Sequence, residues 1–216
     1  MLKSTFSAKV SNIKIVFKDN IMKFFKKSTE IVFVALVMLM AITRGSHFGS
    51  SFGLPDATLA IFMVAGFMLP RFTWVALAAF LLLLLEAGAI DYYAITYRGV
   101  SDYCVTPAYW FLLPTYAGMW LAGSWFFSHQ RNDGNSLALF AGISWLATST
   151  AFVISNAGFY LYSGRFSDMP VAEYTSSVAK YYPPYLAGSL MYLALALVVH
   201  ALLTHLNKLS SNSAQH

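Results

Sequence analysis

The stretch FTWVALAAFLLLLLEAGAI, residues 72–90, decides the fold class. One ionisable side chain, Glu86, interrupts an otherwise apolar run. A bilayer core takes roughly 20 apolar residues wound as a helix, because lipid offers no partner to an open backbone. Working outward, the chain holds five more such runs: Ile31–Ile42, Ala57–Leu69, Pro107–Phe127, Leu137–Ile154 and Tyr185–Leu203. The last four runs of the six reach spanning length. The first two borrow flanking residues, the first by snorkelling of Lys26 and Lys27, the second by starting at Leu54-Pro55-Asp56, where Pro and Asp suit a first turn. Pro70 closes the second run, so spans two and three form a tight hairpin.

Composition agrees. The chain is 58% hydrophobic and 11% charged over 216 residues, with a mean hydropathy of +0.59. A soluble domain carries about 25% charged residues. The expected fold is therefore an all-α integral membrane protein with six transmembrane helices. The net charge of +5 does not mark a nucleic-acid binder, because seven of the 14 Lys and Arg lie in the first 27 residues, a topology and membrane-surface signal. Inner segments hold ten basic residues against four in the outer ones (Arg44, Arg98, Arg165, Lys180), which orients both termini inward. Three parts follow: a basic segment 1–28, a six-helix membrane domain 29–206 and a polar tail 207–216. Residues 9–27 fit an amphipathic interfacial helix and a plain topogenic tail equally well. A cleavable signal peptide fits poorly, since the basic stretch is too long and no small-x-small site follows.

The outer segments, about 43–54, 91–106 and 156–184, gather the polar chemistry. Eleven of 13 tyrosines lie in them or at their edges. An aromatic belt populates both interfaces, so this one-sidedness favours a tyrosine-lined cavity over a belt. The last outer segment, broken by Pro170, Pro183 and Pro184, is expected to hold a short helix or a folded flap.

Cys104 is the single cysteine, placed in Ser101-Asp102-Tyr103-Cys104-Val105-Thr106-Pro107-Ala108-Tyr109 on the outer face. Either it packs as a small hydrophobe, or it serves metal or nucleophile chemistry. A helix beginning at Pro107 would favour its thiolate, and Asp102 would oppose that. One thiolate is no zinc site, but it suits an axial position on a metal held in a macrocycle. Asp91 closes the third run and reads as an interfacial residue or a site residue. Glu86 is an intramembrane acid that bonds a neighbouring helix, for example at Asn156, or faces the cavity. His47 stands alone in a Gly/Ser loop. His200 and His205 are five apart and read as interfacial. No nucleotide-binding, zinc-protease or serine-hydrolase motif occurs.

The segment from Ile90-Asp91-Tyr92-Tyr93 through Tyr109 resembles the BtuM family of cobalamin transporters. These are small six-helix proteins of the Gram-negative inner membrane, related to the substrate-binding S components of energy-coupling-factor (ECF) transporters. The resemblance covers roughly residues 30–205 and includes His47-Phe48-Gly49, Leu54-Pro55-Asp56-Ala57 and Ser163-Gly164-Arg165-Phe166. Its specific mark is an Asp, a Cys thirteen residues on and a Tyr five beyond: Asp91, Cys104 and Tyr109. The resemblance implies an S-component-like bundle that takes cobalamin from the periplasmic face, with Cys104 as axial cobalt ligand. It also implies loss of cyanide from cyanocobalamin, and a pocket shaped by Asp91 and Tyr109, with Tyr103 and His47 as further candidates. Classical S components often carry Ala-xxx-Ala on the first helix for docking an energising module. Ala35 and Ala41 do not make that pair, which favours solitary operation. Two rival readings stand beside this one: a cysteine-dependent membrane enzyme with His47 as base, and a structural subunit of a membrane complex.

Overall fold

A computed structural model describes residues 29–44, 54–69, 73–130 and 135–213. The described chain is entirely helical: α1 (29–44), then α2 (Thr58–Met68), α3 (Trp74–Arg98), a 3-10 turn (Pro107–Phe111), α4 (Leu112–His129), α5 (Asn135–Tyr162), α6 (Val171–Ala179) and α7 (Tyr182–Ser213). The chain divides into two units, Met1–Met38 and Leu39–His216. In the first, residues 29–38 are the opening turns of α1. The second holds everything described below.

Three helices are long and apolar enough to cross a membrane: Trp74–Arg98, Ser136–Tyr162 and Tyr182–Leu202. This is the build of a multi-pass membrane protein. Every apolar run is helical, but the runs differ from expectation in three places. The fourth, expected to span as a single helix from Pro107, is divided into the 3-10 turn and an 18-residue α4. Pro107 opens the turn, and Pro114 sits in the first turn of α4, where its missing N–H costs nothing. The third run was expected to end at Ile90. Instead α3 continues to Arg98 and stops where Gly99 enters the left-handed region at φ 66°, a conformation glycine adopts without strain. Finally, α7 runs on to Ser213, past the expected boundary at 206.

The 11-residue α2 is the centre of the second unit. Ala60, Ile61, Phe62, Met63 and Ala65 are all at most 2% exposed, so it is apolar on every side, as a fully enclosed helix must be. It packs most closely on α4. A methyl group at Gly66 would strike the Trp120 carbonyl, and one at Gly123 would strike the Met63 carbonyl. Small residues thus bring the two backbones into contact, the usual means of helix association in lipid. Ser124 Oγ donates to Gly66 O at 3.0 Å across the seam. Phe62 stacks on Tyr116 with centroids 4.5 Å apart, which carries the contact up to the functional end. Around this pair, α5 packs on α4, and α7 on α5 and α2.

The last loop region holds the short helix α6, as expected from its prolines. Tyr174 is buried in it and donates to Asn156 O of α5 at 3.0 Å. Tyr160 O–H donates to Met169 O at 2.8 Å, and Tyr160, Phe166 and Tyr174 form an aromatic knot.

Candidate functional site

A cavity of about 520 Å³ opens among the ends of α1, α2, α3, α4, α5 and α7. Its lining brings together Asp91, Cys104 and Tyr109 with Arg44, Asp56 and Tyr185. Local structure explains how each arrives. Asp91 is carried past the expected helix end by the two extra turns of α3. Cys104 lies in a turned loop tied by Val105 N–H to Asp102 O at 2.8 Å and Thr106 N–H to Cys104 O at 3.1 Å. Tyr109 sits on the 3-10 turn that follows.

The floor of the cavity is a buried charge cluster centred on Arg44. Its Nε donates to Asp91 Oδ1 at 2.8 Å and its Nη2 to Asp91 Oδ2 at 2.6 Å, a two-bond fork. Nε also reaches Ala87 O at 3.1 Å, while Nη1 donates to Thr58 Oγ1 at 3.1 Å and Tyr116 Oη at 2.9 Å. Asp56 Oδ2 lies 3.5 Å from Nη1, and its Oδ1 accepts from Thr58 N–H at 2.9 Å. Arg44 and Asp91 are each 5% exposed. Ions this deep are tolerable only when paired and multiply hydrogen-bonded, and the two-bond fork to Asp91 with four further contacts meets that condition. Tyr109 O–H donates to Asp91 Oδ2 at 2.6 Å, so Asp91 joins the arginine to the tyrosine.

Cys104 belongs to the upper wall. The residue is exposed and is among those that line the cavity. Partial burial pushes the thiol above its ordinary pKa, the Asp91 charge adds to the rise, and Arg165 opposes it. A 3-10 turn of five residues has a weak dipole, and the carboxylate that acts on the thiol is Asp91, not the neighbouring Asp102. At neutral pH the resting group is a thiol, which becomes a ligand by releasing its proton.

The remaining sequence candidates separate. Tyr103 does not line the cavity. It is 47% exposed, with the Arg165 guanidinium carbon 4.0 Å from its ring centroid. His47 lies outside the described residues. Glu86 neither lines the cavity nor bonds Asn156, whose side chain donates to Phe152 O at 2.9 Å. Its Oε2 is buried without a hydrogen-bond partner among the described residues. The tyrosines divide too: Tyr109, Tyr181 and Tyr185 line the cavity, whereas Tyr92, Tyr93 and Tyr97 are exposed on α3 in the manner of a belt. Among the described residues no cluster of His, Cys, Asp and Glu can hold a bare metal ion.

Arg44 and Tyr116 are the site residues that sequence reasoning missed. Charge counting treats Arg44 as a topological charge at the edge of the first run. The available signal was that three ionisable residues, Arg44, Asp56 and Asp91, flank consecutive apolar runs at the same end, which brings them to one depth in a helical bundle. The chain matches no protein-family model and no curated protein sequence.

Proposed function

We propose that this chain takes up cobalamin across a bacterial inner membrane, as a six-span protein with both termini inside and the cavity facing the periplasm. The observation that carries the reading is the meeting of Asp91, Cys104 and Tyr109 at one cavity, the three residues whose spacing resembles the BtuM pattern. Cobalt arrives already held by four equatorial ring nitrogens, so the protein need add a single soft ligand. The Cys104 thiol is the group for that role. Its volume of about 520 Å³ sits in the range of small-molecule sites, roughly 300–1,000 Å³. A whole cobalamin is much larger than the ligands such sites enclose, so the ring edge enters while the rest stays at the mouth.

Ligation proceeds by exchange without change of oxidation state. The Cys104 S–H bond breaks, a Co–S bond forms, and where cyanocobalamin is the substrate the Co–CN bond breaks and the proton leaves with cyanide as hydrogen cyanide. Asp91, fixed by Arg44, holds the Tyr109 hydroxyl in place beside the entering ring. Solitary transport is favoured over docking to an ECF-type energising module because Ala35 and Ala41 lack the docking spacing.

The test is direct. Purified protein given cyanocobalamin should retain colour and show a shifted visible spectrum, and Cys104→Ala should lose the shift. Equal affinity and an identical spectrum for the variant would end the ligation reading. Alkylation of Cys104 that abolishes turnover of a non-corrinoid substrate would favour a cysteine-dependent enzyme instead.

A further inference from the structure

Outside the charge cluster, two exposed cations, Arg165 and Lys180, make no ion pair among the described residues. The Arg165 guanidinium lies over the Tyr103 ring at 4.0 Å, and the Lys180 ammonium lies over Tyr181 at 5.0 Å. Tyr103 directly precedes Cys104, and Tyr181 lines the cavity. Asp168 and Glu173 lie close to Arg165 in sequence, yet neither pairs with it among the described residues. The field of Arg165 reaches the thiol, where it opposes the effect of Asp91.

A guanidinium carbon 4.0 Å from a tyrosine ring centroid is a cation–π contact, which uses none of the N–H donors. The turn beneath is set: Gly164 adopts φ 70° and Arg165 N–H donates to Ser163 Oγ at 3.3 Å. The result is a guanidinium fork beside Tyr103, without an ion pair among the described residues. Such a fork matches two oxygens of one anion better than it matches neutral amides. The corrin periphery carries neutral amides. The one fixed anion in cobalamin is the phosphodiester of its nucleotide loop, the portion left at the mouth when the ring edge enters.

We propose that Arg165, assisted by Lys180, binds the phosphodiester of the cobalamin nucleotide loop and so distinguishes cobalamin from cobinamide, which has the same ring without that loop. This rests on the corrinoid reading of the cavity. Cobalt ligation by Cys104 and phosphate binding by Arg165 then act on the two ends of one ligand.

The experiment compares wild type, Arg165→Gln and Arg165→Lys by calorimetric titration with cyanocobalamin and with cobinamide, the visible spectrum reporting ligation in each. Arg165→Gln should weaken cobalamin binding about tenfold, the scale of one exposed charge-assisted contact. Cobinamide affinity and the ligation spectrum should stay as in wild type, as should the thermal midpoint. Arg165→Lys should keep part of the discrimination, since it retains charge but loses the fork. Equal weakening of both corrinoids would make the arginine a general support of the site and overturn the proposal. So would unchanged cobalamin affinity accompanied by weaker retention of anionic phospholipid, which would assign the guanidinium to lipid headgroups. If wild type binds neither corrinoid, the uptake reading falls and this proposal with it. If wild type binds both and the variants do not separate them, only this proposal falls.

Discussion

Arg44, in the cavity wall, and Arg165, against the ring next to Cys104, live under opposite conditions. Arg44 is 5% exposed and bonds both oxygens of Asp91, a main-chain carbonyl and two hydroxyls. Arg165 is exposed and faces one tyrosine ring. A guanidinium deprived of water must have its donors answered by the protein, so Arg44 is spent on holding α1, α2, α3 and α4 together. Arg165 keeps its hydration until something displaces it. The floor is therefore a frame, already complete, and the exposed arginine is where an incoming ligand finds unused bonding capacity.

The contrast can be broken most forcefully at the floor. Arg44→Met strands two carboxylates, and removing one member of a buried ion pair costs about 3–5 kcal/mol. For a chain of this size that lowers the thermal midpoint by roughly 10 °C. The double variant Arg44→Met/Asp91→Leu should recover part of the loss, because it removes the stranded charge as well. A single variant as stable as wild type would mean that Arg44 is no frame.

A smaller effect is expected at Tyr109, which joins floor to cavity. Tyr109→Phe deletes the 2.6 Å bond to Asp91 while Arg44 still satisfies that carboxylate. The cost should be about 1.5 kcal/mol, read as a drop of several degrees in the midpoint. Loss as large as that of Arg44→Met would show that the tyrosine, not the arginine, organises the cluster.

The last effect concerns Cys104 and is read in affinity, at about tenfold. The Cys104 thiol lies above its ordinary pKa because of burial and Asp91, so ligation releases a proton. With aquacobalamin, whose axial water leaves without taking that proton, apparent affinity should then rise with pH, approaching tenfold per unit between about pH 6 and 7. Cys104→Ser should abolish the slope. A flat profile in wild type would mean that a thiolate is already present, or that sulfur is not the ligand.

The helices were legible in the sequence because lipid permits few alternatives: every apolar run is helical, the fourth in two pieces, and the proline-bounded loop produced α6. The boundaries were less so. Asp91, Tyr92 and Tyr93 look like a membrane edge when read in order. α3 continues through them because Arg44, 47 residues away, neutralises the acid, a fact that no local pattern encodes. The same blindness hid Arg44 itself, since charge counting treats a basic residue as an orientation marker and asks nothing about its partner. The spacing of Asp91, Cys104 and Tyr109 singled out three residues that line one cavity, but not which bonds they make: the thiol touches neither of the other two in any hydrogen bond among the described residues, while Asp91 and Tyr109 are joined.

The seam between Gly66 and Gly123 bears on how freely this chain can drift under mutation. Leucines on the outer faces of α3 can be exchanged among bulky apolar residues with little penalty. At each of these two glycines even the smallest side chain meets the carbonyl of the opposite backbone. A saturation library selected for function should therefore return glycine at both positions and a broad apolar alphabet a turn away. The least decorated residues in the protein would prove the least replaceable.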